Sequence, residues 1–187
     1  MANAVEQYKA EHRLITQVVN AFERYIGAIE SDDDVPRQDL ARFISFFREF
    51  GDLGHHEKEE GILIAAMVRS GCVWDDGPVE KVRKEHHHER YLMRSLRHAA
   101  LQKDPWSSDA RLRVVSTSRL YVQFMRDHVR LEEGELFPLA DECLSGEAGE
   151  EVARRFERFD EEWDEAGELT WLRELADELV VRYPQPD

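Results

Sequence analysis

The sequence predicts an all-α protein built from four long helices and a shorter helical tail. Three observations predict it. Proline and glycine are sparse, 6 and 10 in 187 residues, and fall mostly between long segments. Apolar residues within those segments recur at steps of three and four, and no run alternates apolar and polar as a half-buried strand would.

The first helix spans about residues 4–30. Its apolar line runs Tyr8, His12, Ile15, Val19, Phe22, Ile26, Ile29, a core stripe with one histidine in it. The second spans about 36–69 with Leu40, Phe43, Phe46, Phe50, Leu53, His56, Glu60, Leu63 and Met67. Gly51 and Gly54 interrupt it and predict a bend just before His56. The third, about 78–102, carries Val79, Val82, His86, Glu89, Met93, Leu96 and Ala100, which selects His86 from the run His86, His87, His88 and leaves the other two on the surface. The fourth, about 108–144, carries Val114, Ser118, Tyr121, Met125, His128, Glu132, Glu135 and Leu139.

Turn formers and N-cap residues mark the breaks, at SDDDVP (31–36), SGCVWDDGP (70–78), KDPWSS (103–108) and SGEAG (145–149). Beyond them the tail 141–187 holds 16 Asp and Glu against 5 Arg, so most of the chain's net charge of −15 lies there. Val152, Phe156, Phe159 and Trp163, then Leu172, Leu175 and Leu179, predict two more helices that cover the bundle or form a homodimer contact. The acidic excess itself reads as a solvated face.

The length suits one domain with a substantial core. A net charge of −15 gives no attraction to nucleic-acid phosphates or anionic lipid. No signal peptide and no membrane span is expected. Cys72 and Cys143 are far apart in sequence and in no CxxC spacing, so neither a disulfide framework nor a thiolate metal site is expected, and a reducing, cytoplasmic setting fits best.

Each of the four stripes is apolar except where a histidine interrupts it, at His12, His56, His86 and His128. Two carry a glutamate one turn on, as His56-x3-Glu60 and His128-x3-Glu132. Buried imidazoles and carboxylates are costly unless paired or bound to a cation, so four interrupted stripes point to a metal site. Without thiolates, and with two carboxylates able to bridge, the ligand types suit a pair of iron ions, with manganese the second choice. His12 and His56 would be terminal ligands on one ion, His86 and His128 on the other, and Glu60 and Glu132 would bridge. Six protein groups leave coordination positions for a small ligand.

These residues carry a family resemblance. AEH at 10–12, HHEKEEGIL at 55–63, KEHHHER at 84–90 and HVRLEEGELFP at 128–138 resemble the hemerythrin-like family, the HHE cation-binding domain, over about 8–140. The resemblance implies an up-and-down four-helix bundle, here 1–145, with the acidic extension 146–187 added. It also implies a non-heme di-iron centre on His12, His56, Glu60, His86, His128 and Glu132, which binds or reacts with a diatomic or peroxide (O2, NO) in sensing, scavenging or stress response. Redox turnover and a metal-dependent regulatory module are the alternatives. His55 and Glu59, about 100° around the helix, would be solvent-side or outer residues. Oxygen-carrying members have a second histidine four residues after the third-helix ligand; here that position is Arg90, which argues against reversible oxygen carriage. Glu89 or Glu57 would supply the missing ligand or else orient an imidazole.

Overall fold

The computed structural model describes residues 2–31, 35–102 and 105–185, so the parts of the expected breaks at 32–34 and 103–104 lie outside the described residues. All regular structure within them is helical. α1 is Ala2–Glu30. A second rod is built from α2 (Gln38–Phe46), two π-helical segments at Phe47–His56 and Glu59–Ile64, and α3 (Ala65–Arg69). α4 is Pro78–Ala100. A fourth rod joins α5 (Ser108–Leu131), a π-helical segment at Glu132–Leu136, and α6 (Phe137–Cys143). α7 (Glu147–Trp163) and α8 (Glu168–Arg182) follow.

Local chemistry sets several ends. Pro78 opens α4, where its missing N–H is not needed. Ser107 caps α5 by accepting a hydrogen bond from the Ala110 N–H at 3.2 Å. Gly167 takes the left-handed conformation, φ 76°, that turns the chain from α7 into α8.

The core lies in two apolar clusters, one at each end of the helices. One holds the later half of α1, α2 and the following segment to Phe50, the end of α4, α5 as far as Met125, and α8. The other holds Val5 and Tyr8 with Ile62–Met67, Val79, Val82, Leu136, Phe137, Val152 and Phe156. Between them lies a layer of buried polar groups: His12, His55, His56, Glu59, His86, Glu89, His128 and Glu132. α1, the second rod, α4 and the fourth rod therefore each change from apolar to polar and back at the same level.

The tail residues pack on this frame. Leu169, Leu172, Leu175 and Leu179 of α8 are buried with α1 and α2, each stabilising by roughly 1.5–3 kcal/mol. On α7, Val152 and Phe156 enter the second cluster, and Trp163 lies 5.8 Å from the Phe50 ring. Asp39, fully buried, accepts hydrogen bonds from Arg182 at 2.8 Å and from the Tyr183 hydroxyl at 2.7 Å, which ties the end of α8 to α2.

Two expectations are corrected. Cys72 and Cys143 form a disulfide, because the turn after α3 and the end of α6 meet with Cα atoms 6.1 Å apart. Their separation along the chain had suggested otherwise, and the argument from them for a reducing compartment loses its basis. Just before His56, where the glycines fall, the rod is π-helical, and the wider turn slips its face away from the α-helical count. Leu53 is 46% exposed although the sequence stripe ran through it. The same slip occurs on the fourth rod, where Leu136 and Phe137 are buried and Glu135 is not. There Pro138 removes an N–H from the α-helical ladder just after the π segment. No helix of the described residues is long and apolar enough to cross a membrane.

Candidate metal centre

The polar layer is organised around imidazole Nε2 atoms that face one another. His12 on α1 lies with its Nε2 3.2 Å from His55 Nε2 and 2.9 Å from Glu132 Oε2. His128 Nε2 stands 2.9 Å from the other Glu132 oxygen, and His86 Nε2 lies 3.3 Å from Glu59 Oε2 and 3.6 Å from Glu132 Oε1. His56 and His86 stack with ring centroids 3.9 Å apart, and His128 meets both rings edge-on. Three groups hold ligand atoms within 4.8 Å of one another: His12, His55 and Glu132; His56, His86 and His128; Glu59, His86 and Glu132.

Behind each ring stands a carboxylate. The Nδ1 of His12 donates to Glu133 at 3.0 Å, that of His55 to Glu11 at 2.7 Å, that of His86 to Glu60 at 2.7 Å and that of His128 to Glu85 at 2.8 Å. His56 Nδ1 lies 3.0 Å from Glu89 Oε2. An ionised carboxylate can only accept, so at the four hydrogen-bonded rings Nδ1 carries the hydrogen and the Nε2 lone pair is left for the centre. Glu11, Glu60, Glu85 and Glu133 each neighbour in sequence a residue of one cluster, yet each orients a histidine on a different rod. The rods are thereby cross-braced at the level of the site.

The electrostatics match. Burial opposes charge at His86, but the nearby carboxylates of Glu132 and Glu59 and the hydrogen bond to Glu60 outweigh it and push its pKa up to about 12. Burial is likewise outweighed at His128, up to about 10 by Glu132 and Glu85, and at His55, up to about 9 by Glu11 and Glu132. Glu60 is held down at about 2, first by the hydrogen bond from His86. Burial would raise Glu132, but His128, His12 and His55 hold it well below the usual carboxylate range. The layer therefore gathers positive charge around Glu132, supplied by protons or by a cation.

Polar atoms without hydrogen-bond partners concentrate here: both ring nitrogens of His56, the Nε2 of His86 and His128, Glu89 Oε2, and both oxygens of Glu59 and of Glu132. Each is buried, and a buried unpaired polar atom costs about 1–3 kcal/mol, more when charged. Lone pairs from three imidazoles and two carboxylates aimed at a common space are what divalent or trivalent cations require. The residues present therefore fit a metal centre.

His12, His56, His86, His128 and Glu132 all lie in the layer, but His12 is paired with His55 while His56 joins His86 and His128. Glu60, its side chain 33% exposed, stands outside the clusters behind His86, and Glu59, fully buried, takes the inward place. His55 and Glu59 were expected outside the core, and their burial corrects that. The π-helical segments at Phe47–His56 and Glu59–Ile64 change the residue-to-face relation that an α-helical count assumes. A signal for this register exists in the sequence: His55-x3-Glu59-Glu60-x2-Leu63 repeats the pattern His128-x3-Glu132-Glu133-x2-Leu136.

Glu89 accepts a 2.8 Å hydrogen bond from the Tyr121 hydroxyl and backs His56, so it orients an imidazole. Glu57 is exposed and faces a surface cavity beside Arg155 and Arg158. His87 and His88 are exposed, as expected. Arg90 donates to Asp52 at 2.6 Å and to Glu60 at 3.1 Å, bracing the carboxylate behind His86.

These features define a helical protein with a buried histidine and carboxylate centre for cations. The family profile described as hemerythrin HHE cation binding domain matches residues 3–140, and the chain belongs to that family. α7 and α8 lie beyond the matched region. No curated protein and no solved structure matches the chain.

Proposed function

We propose that the chain is a non-heme di-iron protein on an up-and-down four-helix bundle, which binds or reacts with a small ligand such as O2, NO or peroxide. The observation that carries this reading is the set of five imidazoles, each backed at Nδ1 by a carboxylate, surrounding two carboxylates whose four oxygens have no hydrogen-bond partner. His12 and His55 would hold one ion, His56, His86 and His128 the other, and Glu59 and Glu132 would lie between them. When bound, iron supplies redox chemistry and exchangeable positions for a small ligand. The protein's own part is to fix the tautomers through Glu11, Glu60, Glu85 and Glu133, and to keep bulk water out with the apolar clusters on either side.

Arg90, in the place of the extra histidine of oxygen carriers, favours sensing or scavenging over reversible carriage. The burial of Leu172, Leu175 and Leu179 favours a covering role for the extension 146–187 over a homodimer contact. Reconstitution with iron under reducing conditions, followed by metal analysis and absorption spectra after oxidation, tests the reading. Two irons per chain with ligand-to-metal absorption are expected. Manganese retained in preference to iron, or far less than two metals per chain, would overturn it.

A further inference from the structure

Tyr8 sits one helical turn before His12 on α1 and is fully buried. Its ring is held on three sides, edge-on to His55 at 5.1 Å, stacked on Phe137 at 5.6 Å and edge-on to Phe156 at 4.7 Å. The Lys58 ammonium lies 5.7 Å over the ring. A phenol packed this way has no path by which to swing its hydroxyl to solvent. Yet its hydroxyl has no hydrogen-bond partner. Tyr121, the other buried tyrosine at the polar layer, spends its hydroxyl on Glu89.

The surroundings of Tyr8 fix what its hydroxyl can do. The hydroxyl is buried among aromatic rings, and a neutral phenol is a hydrogen-bond donor. A buried donor without an acceptor is unfavourable, which makes an acceptor brought into the centre its natural partner. The two halves also differ in donor number. His56, His86 and His128 supply three imidazoles on one side, whereas His12 and His55 supply two on the other. With the two carboxylates shared, a bound ion on the His12 and His55 side would have one protein donor fewer and so room for a further ligand, and Tyr8 lies against His55 there.

Resting on the di-iron reading above, we propose that Tyr8 is a ligand-binding residue whose hydroxyl donates a hydrogen bond to a small anionic or oxygen-terminated ligand held on the His12 and His55 side. It selects ligands that accept a hydrogen bond over those that do not. Tyr121 and Glu89 serve the opposite half, where no further ligand is taken up.

The test is azide titration of the oxidised iron-loaded chain, followed by the charge-transfer absorption, with iron content measured on the same samples. Tyr8→Phe keeps the ring and its packing and removes only the hydroxyl. Tyr25→Phe is the control, since its hydroxyl donates to the Pro36 carbonyl at 3.4 Å in the other apolar cluster. The expected result is unchanged iron content in both variants, with azide bound about tenfold more weakly by Tyr8→Phe and within about twofold of the parent by Tyr25→Phe. Equal azide affinity in the parent and Tyr8→Phe overturns the proposal, as does a parent that binds no azide. A phenolate-to-iron band that disappears in Tyr8→Phe, or loss of iron from that variant, overturns it in favour of direct ligation by Tyr8. A parent that takes up no iron overturns the di-iron reading, and this proposal with it, and the iron analysis separates that case from the others.

Discussion

Replacing Lys58 by methionine tests how the centre is joined to the rest of the molecule. The Lys58 side chain is 1% exposed, and its ammonium donates to Glu11 and, at 2.8 Å, to Asp160 of α7. It also lies 5.7–5.9 Å over the rings of Tyr8, Phe156 and Phe159. Methionine matches the aliphatic stem but removes the charge. Asp160, with a side chain 27% exposed, keeps contact with water, whereas Glu11, at 12%, keeps only its hydrogen bond from His55. Burial opposes the ionised form of Glu11, and the hydrogen bond from His55 with the charge of Lys58 brings its pKa down to about 2. Removing one partner of a buried pair costs about 3–5 kcal/mol, and the remaining His55 contact puts the expectation at the lower end, about 3 kcal/mol. For a chain of this length that is a fall in Tm of roughly 6–12 °C. Thermal unfolding of the metal-free protein by circular dichroism reads it. The double variant Lys58→Met with Glu11→Gln should recover part of the loss, since the buried carboxylate left by Lys58 is then gone. A fall of less than about 1 kcal/mol, or no recovery in the double variant, would refute the reasoning.

Two further predictions concern packing and protons. Gly54→Ala places a Cβ 1.9 Å from the Trp163 ring, so the indole must leave its site, with a loss of about 1–3 kcal/mol and a shift in Trp fluorescence; an unchanged spectrum and Tm would contradict it. His55, His128 and His86 hold protons in the metal-free protein up to about 9, 10 and 12, above the ordinary 6.5, so those protons stabilise the metal-free fold fully below about pH 6.5 and are lost as pH rises through the raised values. A bound cation must displace them, so metal affinity should rise at least about tenfold per pH unit between about pH 6 and 8; competition titration showing no pH dependence would contradict this.

The straight α-helical stretches were legible from the sequence. Steps of three and four placed His12, His86, His128 and Glu132 inward, and the tail residues Val152, Phe156, Leu172, Leu175 and Leu179 are buried where the same count put them. The reading of the second rod failed at Leu53, His55, Glu59 and Glu60, because a count of 3.6 residues per turn does not hold through π-helical segments. Those segments lie at His55 and His56, at Glu59 and at Glu132, so the irregular turns fall at the site itself. The bracing carboxylates Glu11, Glu85 and Glu133 were not legible for another reason. Each serves a histidine on a different rod, and a periodicity within one helix carries no information about that pairing. The Cys72–Cys143 disulfide was hidden in the same way, by a sequence separation of 71.

The central claim is that two cations are held with Glu59, and not Glu60, facing them. Iron per chain in the parent, Glu59→Ala and Glu60→Ala, after reconstitution at saturating iron, tests it most directly. Two irons are expected in the parent, loss of at least one in Glu59→Ala, and retention of both in Glu60→Ala with affinity weakened by about 10–100-fold through the freed His86 ring. Full loading of Glu59→Ala together with loss of iron from Glu60→Ala would contradict it.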